Sequence, residues 1–217
     1  MKTQVIKHIK KYKIVAICRQ TYGDDLLRLA QALAEGGIGL LEITFDQADP
    51  QGIKKTADAV RLVSEKFGKD LLLGTGTVLT REQVVAAYQA GAKYVIMPNV
   101  NPDIIRMAGS MGMATIPGSM TATEILRAYS VGADFVKLFP AGTLGIAYAK
   151  DLFGPINHIP MIATAGVTPV NLGQFLELGY KGAGISSYLT DKKKIAAGDF
   201  ATLTQHAKEL MEIANRY

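Results

Sequence analysis

Short apolar runs rich in β-branched residues alternate with stretches of helical periodicity along the whole chain. The runs are KIVAICR (13–19), LLEITFD (40–46), LLLGTGTV (71–78), YVIMPN (94–99), ATIPGS (114–119), FVKLFP (135–140), MIATAG (161–166) and GAGISSYL (182–189). Each has strand length and is bounded by residues that favour turns. Between them, segments such as DDLLRLAQALAEGG (24–37) and TREQVVAAYQAGA (80–92) place apolar side chains at i, i+3, i+4 and i+7 and end at a glycine, the mark of an amphipathic helix with its C-terminal stop. Thr80, and Thr121 three residues before Glu124, predict helix N-caps. A last helix is predicted over about 200–214.

Eight strand–helix repeats imply a parallel sheet, because parallel neighbours need crossover connections and helices supply them. An open doubly wound sheet that binds a dinucleotide would carry G-x-G-x-x-G after its first strand. KIVAICRQTYGDD has no such pattern. The expected fold is therefore α/β: one (β/α)8 TIM barrel with a parallel eight-stranded core, a single domain over residues 1–217.

Composition narrows the function classes. Apolar residues make up 48% and charged residues 20%, which argues for a packed core and against disorder. The apolar runs fall well short of the roughly 20 residues that a membrane-spanning helix needs, and KTQVIKHIKKYK after Met1 lacks the apolar segment of a signal peptide. No membrane association and a cytoplasmic location are expected. The lone Cys18 cannot form an intramolecular disulfide and suits a reducing compartment. The net charge of +5 is concentrated between Lys2 and Arg19 and at Lys192–Lys194, with no interleaved aromatics to stack bases, so no nucleic-acid partner is expected. His8, His158 and His206 are scattered, so neither a metal site nor a cofactor is expected.

In a barrel of this type the active site lies at the C-terminal ends of the strands, where polar residues interrupt the apolar pattern. Arg19, Glu42, Thr44, Thr75, Thr77 and Lys137 do so here. By strand alternation Glu42 shares a face with Thr44, and Lys137 shares one with Phe135 and Phe139. A strand lysine can simply extend its stem to water, and Glu42 can simply pair with Lys137 or Arg19. With both sheet faces covered, however, the barrel mouth is the main wet exit. An amine and a carboxylate meeting there suit imine chemistry on a carbonyl. A lysine is almost wholly protonated near neutrality, and an apolar pocket or a second cation such as Arg19 would free its lone pair. A neighbouring carboxylate would shuttle the protons.

EGGIGLLEITF (35–45), GTGTVLT (74–80), IPGSMTATE (116–124), VKLFPA (136–141) and ATAGVT (163–168) together resemble, in order and spacing, the 2-keto-3-deoxy-6-phosphogluconate (KDPG) and 4-hydroxy-2-oxoglutarate (KHG) aldolases. The resemblance implies a class I aldolase that forms a Schiff base and uses no metal or cofactor, usually as a homotrimer. It implies cleavage of a 2-keto-4-hydroxy acid to pyruvate plus glyceraldehyde 3-phosphate or glyoxylate. On it, Lys137 is the Schiff-base lysine and Glu42 the general acid and base. Thr77 matches a residue that helps hold the pyruvyl carboxylate, and Arg19 matches a substrate-binding arginine found at the first strand's end in some members. Pro98 and Phe139 match residues that shape the pyruvyl pocket, and Thr164, Gly166 and Ser187 lie where the far end of the substrate binds.

The chain departs from the family pattern at four places. Asp46 stands where many members have an arginine, ATAG replaces PTGG, Ile185-Ser186-Ser187 replaces a G-G-S or V-G-S segment, and Met97-Pro98-Asn99 replaces S-P-G. Glycines let backbone N–H groups approach a phosphate closely, and Ala165 and Ser186 remove two of them. Two alternatives stand beside the aldolase: a sugar-phosphate isomerase or epimerase barrel using Glu42 without an imine, and a non-catalytic barrel that binds a keto acid.

Overall fold

The computed structural model describes residues 2–217. Nine parallel strand segments form one sheet: β1 (Ile14–Cys18), β2 (Leu40–Thr44), β3 (Leu72–Gly76), β4 (Tyr94–Ile96), β5 (Ala114–Ile116), β6 (Gly118–Ser119), β7 (Val136–Leu138), β8 (Met161–Thr164) and β9 (Ala183–Ile185). Their hydrogen-bonded order is β5-β4-β3-β2-β1-β9-β8-β7-β6. The two end segments, β5 and β6, are halves of the predicted strand ATIPGS, separated by Pro117. Proline has no N–H to give the ladder. Its neighbours still bond outward on both sides: Met97 N–H donates to the Ile116 carbonyl at 3.1 Å and Lys137 N–H to the Pro117 carbonyl at 2.9 Å. The chain itself thus nearly closes the sheet into the eight-stranded TIM-barrel-like ring that the sequence pattern predicts.

Helices α2 (Gly23–Glu35), α3 (Gly52–Phe67), α4 (Arg81–Gln89), α5 (Pro102–Ser110), α6 (Ala122–Ser130), α7 (Ala141–Phe153), α8 (Pro169–Glu177) and α10 (Phe200–Ala214) cover the outside, with the short α9 (Lys192–Ala196) after the last strand. Thr80 and Thr121 cap α4 and α6 as the sequence predicts, each in a reciprocal capping box with Gln83 or Glu124. Each such cap is worth about 1 kcal/mol.

The helix α1 (Lys2–Tyr12) was not anticipated from the pattern. Its Val5 and Ile9 are buried and join an inner cluster with Val15, Leu40, Ile96, Ile116, Phe135 and Ile162. These strand residues alternate with those that face the outer helices, so they define the interior of the barrel. Full burial of a Val or Ile contributes about 1.5–3 kcal/mol, enough to hold α1 across the N-terminal end as a plug. With that end closed, the C-terminal mouth is where polar groups of the interior can meet a ligand. No described helix is long and apolar enough to cross a membrane.

Candidate active site

Two strands deliver the two ionisable groups of the interior. Lys137, in the middle of β7, and Glu42, in the middle of β2, are only 6% and 2% exposed. Both follow the inward parity of Phe135 and Leu40. The Lys137 ammonium lies 4.8 Å from the centre of the Phe139 ring, so the predicted aromatic wall is in place on its mouth side. Among the described residues no ion pair joins Lys137 to Glu42. The simple salt-bridge reading of Glu42 is therefore not what forms.

Glycines make room for both groups. A Cβ on Gly76 would lie 1.5 Å from Glu42 Oε1, and one on Gly118 would lie 3.0 Å from Lys137 Cε and 2.5 Å from the Pro98 carbonyl oxygen. The Glu42 carboxylate thus rests over β3, and the lysine stem over β6 beside the Pro98 backbone. The Pro98 carbonyl therefore lies near the Lys137 stem. These glycines carry no sequence pattern of their own, and the reading of the sequence did not single them out.

The electrostatics follow from burial. Desolvation lowers the pKa of Lys137; the Glu42 charge opposes this and Arg19 adds to it. Desolvation raises that of Glu42, with Lys137 and then Arg19 pulling it back. Each group is pushed toward its neutral form by burial and toward its charged form by the other. Burial thus narrows the gap between the two groups' pKa values from both sides.

Arg19, Phe139, Thr164, Gly166 and Ser187 line one cleft of about 330 Å³, which neither Lys137 nor Glu42 lines and to which Phe139 connects the lysine. Five of the sequence-predicted site residues therefore converge. Ala165, Ser186, Tyr188 and Asp191 share the cleft. An adjoining cleft joins Arg19 and Ser187 to Lys192 and Lys193, which gives this end a cationic rim. The loops that carry these residues are tied to the barrel. Gly142 N–H donates to the Ala165 carbonyl at 2.8 Å, Asn171 Nδ2 to the Gly166 carbonyl at 3.0 Å, and Thr190 Oγ1 to the Ile17 carbonyl at 2.9 Å.

Thr77 lies outside that cleft, directly after Gly76 at the end of β3. Its φ is +56°, an outlier for a β-branched residue, and its carbonyl accepts from Gln47 Nε2 at 2.9 Å. Gln20 and Ala165, at +48° and +69°, are also left-handed, so three strand ends at the mouth hold strained backbone. Strain of this kind costs of order 1–3 kcal/mol per residue and gathers at functional sites. Asp46 is half-buried at the rim, where it accepts from Gln20 Nε2 at 2.6 Å and from Ala48 N–H at 3.0 Å.

The chain matches the family model for KDPG and KHG aldolase over residues 5–206. It is 32% identical to the 2-dehydro-3-deoxy-phosphogluconate aldolase of Haemophilus influenzae, covering 97% of this chain and 96% of that protein. It is 34% identical to the 2-dehydro-3-deoxy-6-phosphogalactonate aldolase of Escherichia coli, covering 82% and 85%. Among solved structures, the Legionella pneumophila KDPG aldolase with pyruvate captured as a covalent carbinolamine superposes with a TM-score of 0.85, at 26% identity over 97% of this chain and 99% of that one. A buried lysine and glutamate at the mouth of a parallel barrel, in a chain so matched from end to end, make this protein a member of the KDPG and KHG aldolase family, whose activity is that of a lyase.

Proposed function

We propose that the protein is a class I aldolase that cleaves a 2-keto-4-hydroxy acid through a Schiff base on Lys137. The observation that carries this is a lysine 6% exposed, with its pKa lowered by burial and a buried carboxylate as its electrostatic partner, set against Phe139, which lines an open cleft. The neutral amine of Lys137 attacks the C2 carbonyl, whose oxygen takes a proton to give the carbinolamine. Glu42 protonates the departing hydroxyl, and loss of water leaves the iminium. The Glu42 carboxylate then takes the C4 hydroxyl proton, the C3–C4 bond breaks, and its electron pair moves through C3 to the iminium nitrogen. The aldehyde leaves, the enamine is protonated at C3, and water releases pyruvate and the free amine.

Thr77, Pro98 and Phe139 hold the pyruvyl end, while Arg19, Thr164, Gly166 and Ser187 receive the aldehyde end. The cationic rim supports an anionic group there. The names of the relatives support 2-dehydro-3-deoxy-6-phosphogluconate as the substrate, with release of glyceraldehyde 3-phosphate. 4-Hydroxy-2-oxoglutarate, releasing glyoxylate, is the second member of the class. The whole chain acts as one barrel domain in a cytoplasmic homotrimer, which sedimentation velocity tests directly.

Borohydride reduction with pyruvate should leave a pyruvyl adduct on Lys137, read by peptide mass spectrometry. An active protein with unmodified Lys137 would rule out the imine and favour an isomerase or epimerase. No pyruvate from any of the gluconate-derived, galactonate-derived and unphosphorylated keto acids would leave only a binding role.

A further inference from the structure

Glu42 and Tyr94 stand in one register row. Glu42 on β2 is opposite Gly74 on β3, and Gly74 is opposite Tyr94 on β4. All three positions face the interior, since Leu40, Leu72 and Ile96, two residues away from them, belong to the inner cluster. The middle position has no side chain, and the tyrosine ring takes its space: a Cβ on Gly74 would lie 2.2 Å from Tyr94 Cε2 and 2.5 Å from Cζ. The phenol therefore lies over β3, between its own strand and that of Glu42.

Tyr94 is fully buried and its hydroxyl has no hydrogen-bond partner; Glu42 Oε2 is also buried and without one. Buried polar atoms are rarely left in this condition, and these two are complementary, one an O–H donor and the other a carboxylate acceptor. The Glu42 charge also reaches the phenol, adding to the effect of burial in raising its pKa well above the ordinary value, so the hydroxyl keeps its proton for donation. We infer that the Tyr94 hydroxyl donates to the Glu42 carboxylate through one bridging water, as a positioning residue that steadies Oε2 and favours the ionised form. A water there gains the two polar partners that a buried water needs. The inference rests on the acid–base role proposed for Glu42.

Other titratable groups bear on Glu42 as well. Lys137 acts from β7 and Arg19 from the end of β1. Cys18 on β1 belongs to the outer core, and burial pushes its thiol up to about 11, so it stays neutral. β3 contributes only Gly74 and Gly76.

The pH dependence of kcat/KM for pyruvate release tests the inference. A donor to the carboxylate lowers its pKa, so Tyr94→Phe should move the acid limb up by about 1 pH unit, a roughly tenfold loss on that flank. A purely structural role would lower the rate at every pH and leave the limb in place. Global replacement of tyrosine by 3-fluorotyrosine, a more acidic phenol, provides a second variant with the side chain's shape nearly kept. It should move the limb down, and should no longer do so when Tyr94→Phe is present. Borohydride trapping of Lys137 runs in parallel. Trapping with superimposed acid limbs in all these proteins overturns the role of Tyr94 alone; no trapping in the unaltered protein overturns the Schiff-base reading and this inference with it.

Discussion

Replacing Gly76 by alanine should disable the protein through Glu42 while leaving Lys137 untouched. Gly76 does not have positive φ, so alanine meets no backbone penalty there. Its Cβ, however, would lie 1.5 Å from Glu42 Oε1, 2.4 Å from Cδ and 2.8 Å from Cγ. To reach an ordinary contact of 3.4 Å the carboxylate has to retreat by about 2 Å. A misplacement of ~1 Å at a reacting group already costs about 100-fold, so kcat for pyruvate release, coupled to lactate dehydrogenase, should fall by at least about 100-fold. Overpacking should cost roughly 1–3 kcal/mol, seen as a lower midpoint in urea. Borohydride should still trap pyruvate on Lys137, more slowly, because the amine and its aromatic wall remain. A Gly76→Ala protein that folds and keeps kcat within about twofold of the parent would refute the placement of the carboxylate over β3.

Three further outcomes are expected. Glu42→Gln should remove a pH dependence of stability. The folded pKa of Glu42 is raised above 4.5, so the parent's unfolding free energy should fall as pH rises from there through the folded value, and urea titrations of the variant should lack that fall. Ala165→Gly relieves a left-handed alanine at φ +69° and should gain about 1 kcal/mol, or roughly 2–4 °C in Tm by calorimetry; no gain would mean the loop adopts another conformation. Asp46→Asn removes a half-buried carboxylate from the rim of the proposed anion-binding end. KM for a phosphorylated keto acid should drop a few-fold at low salt, the effect fading as added salt screens the charge, with kcat little changed.

The strands, the capped helices and the two ionisable groups were legible because each breaks or makes a pattern. Lys137 and Glu42 stand out as charges inside apolar runs, and Thr80 and Thr121 as hydroxyls ahead of helical periodicity. The break at Pro117 was less so, since a proline in a short run marks either a strand edge or a bend, and only the bonds made on both sides show it joining the two ends of the sheet. Helix α1 is hard to read although Val5 and Ile9 have helical spacing, because Lys2, Lys7, Lys10 and Lys11 around them direct attention to charge rather than burial. Hardest to read were Gly74, Gly76 and Gly118. A glycine in a strand is usually a weak point, and its use as space for a tyrosine, a carboxylate or a lysine stem depends on which residues stand across the register.

Those glycines bear on why the site tolerates its own cost. A buried carboxylate and a buried ammonium each lose hydration worth several kcal/mol, and direct ion pairing is the usual compensation. Here the side chains lie over different strands, with no ion pair between them, so the compensation is incomplete. The stability lost to Glu42 begins as pH rises past 4.5 toward its raised folded pKa, and that lost to Lys137 is regained as pH rises from its lowered folded pKa toward 10.5. Burial therefore sets the two groups against the fold in opposite directions of pH. A direct ion pair would compensate the two buried charges and, on the proposed mechanism, fill the place where the carbonyl carbon has to sit within reach of both groups. On the proposed mechanism, the separation that weakens the fold is the one that leaves the amine free for the carbonyl and the carboxylate free to accept a proton.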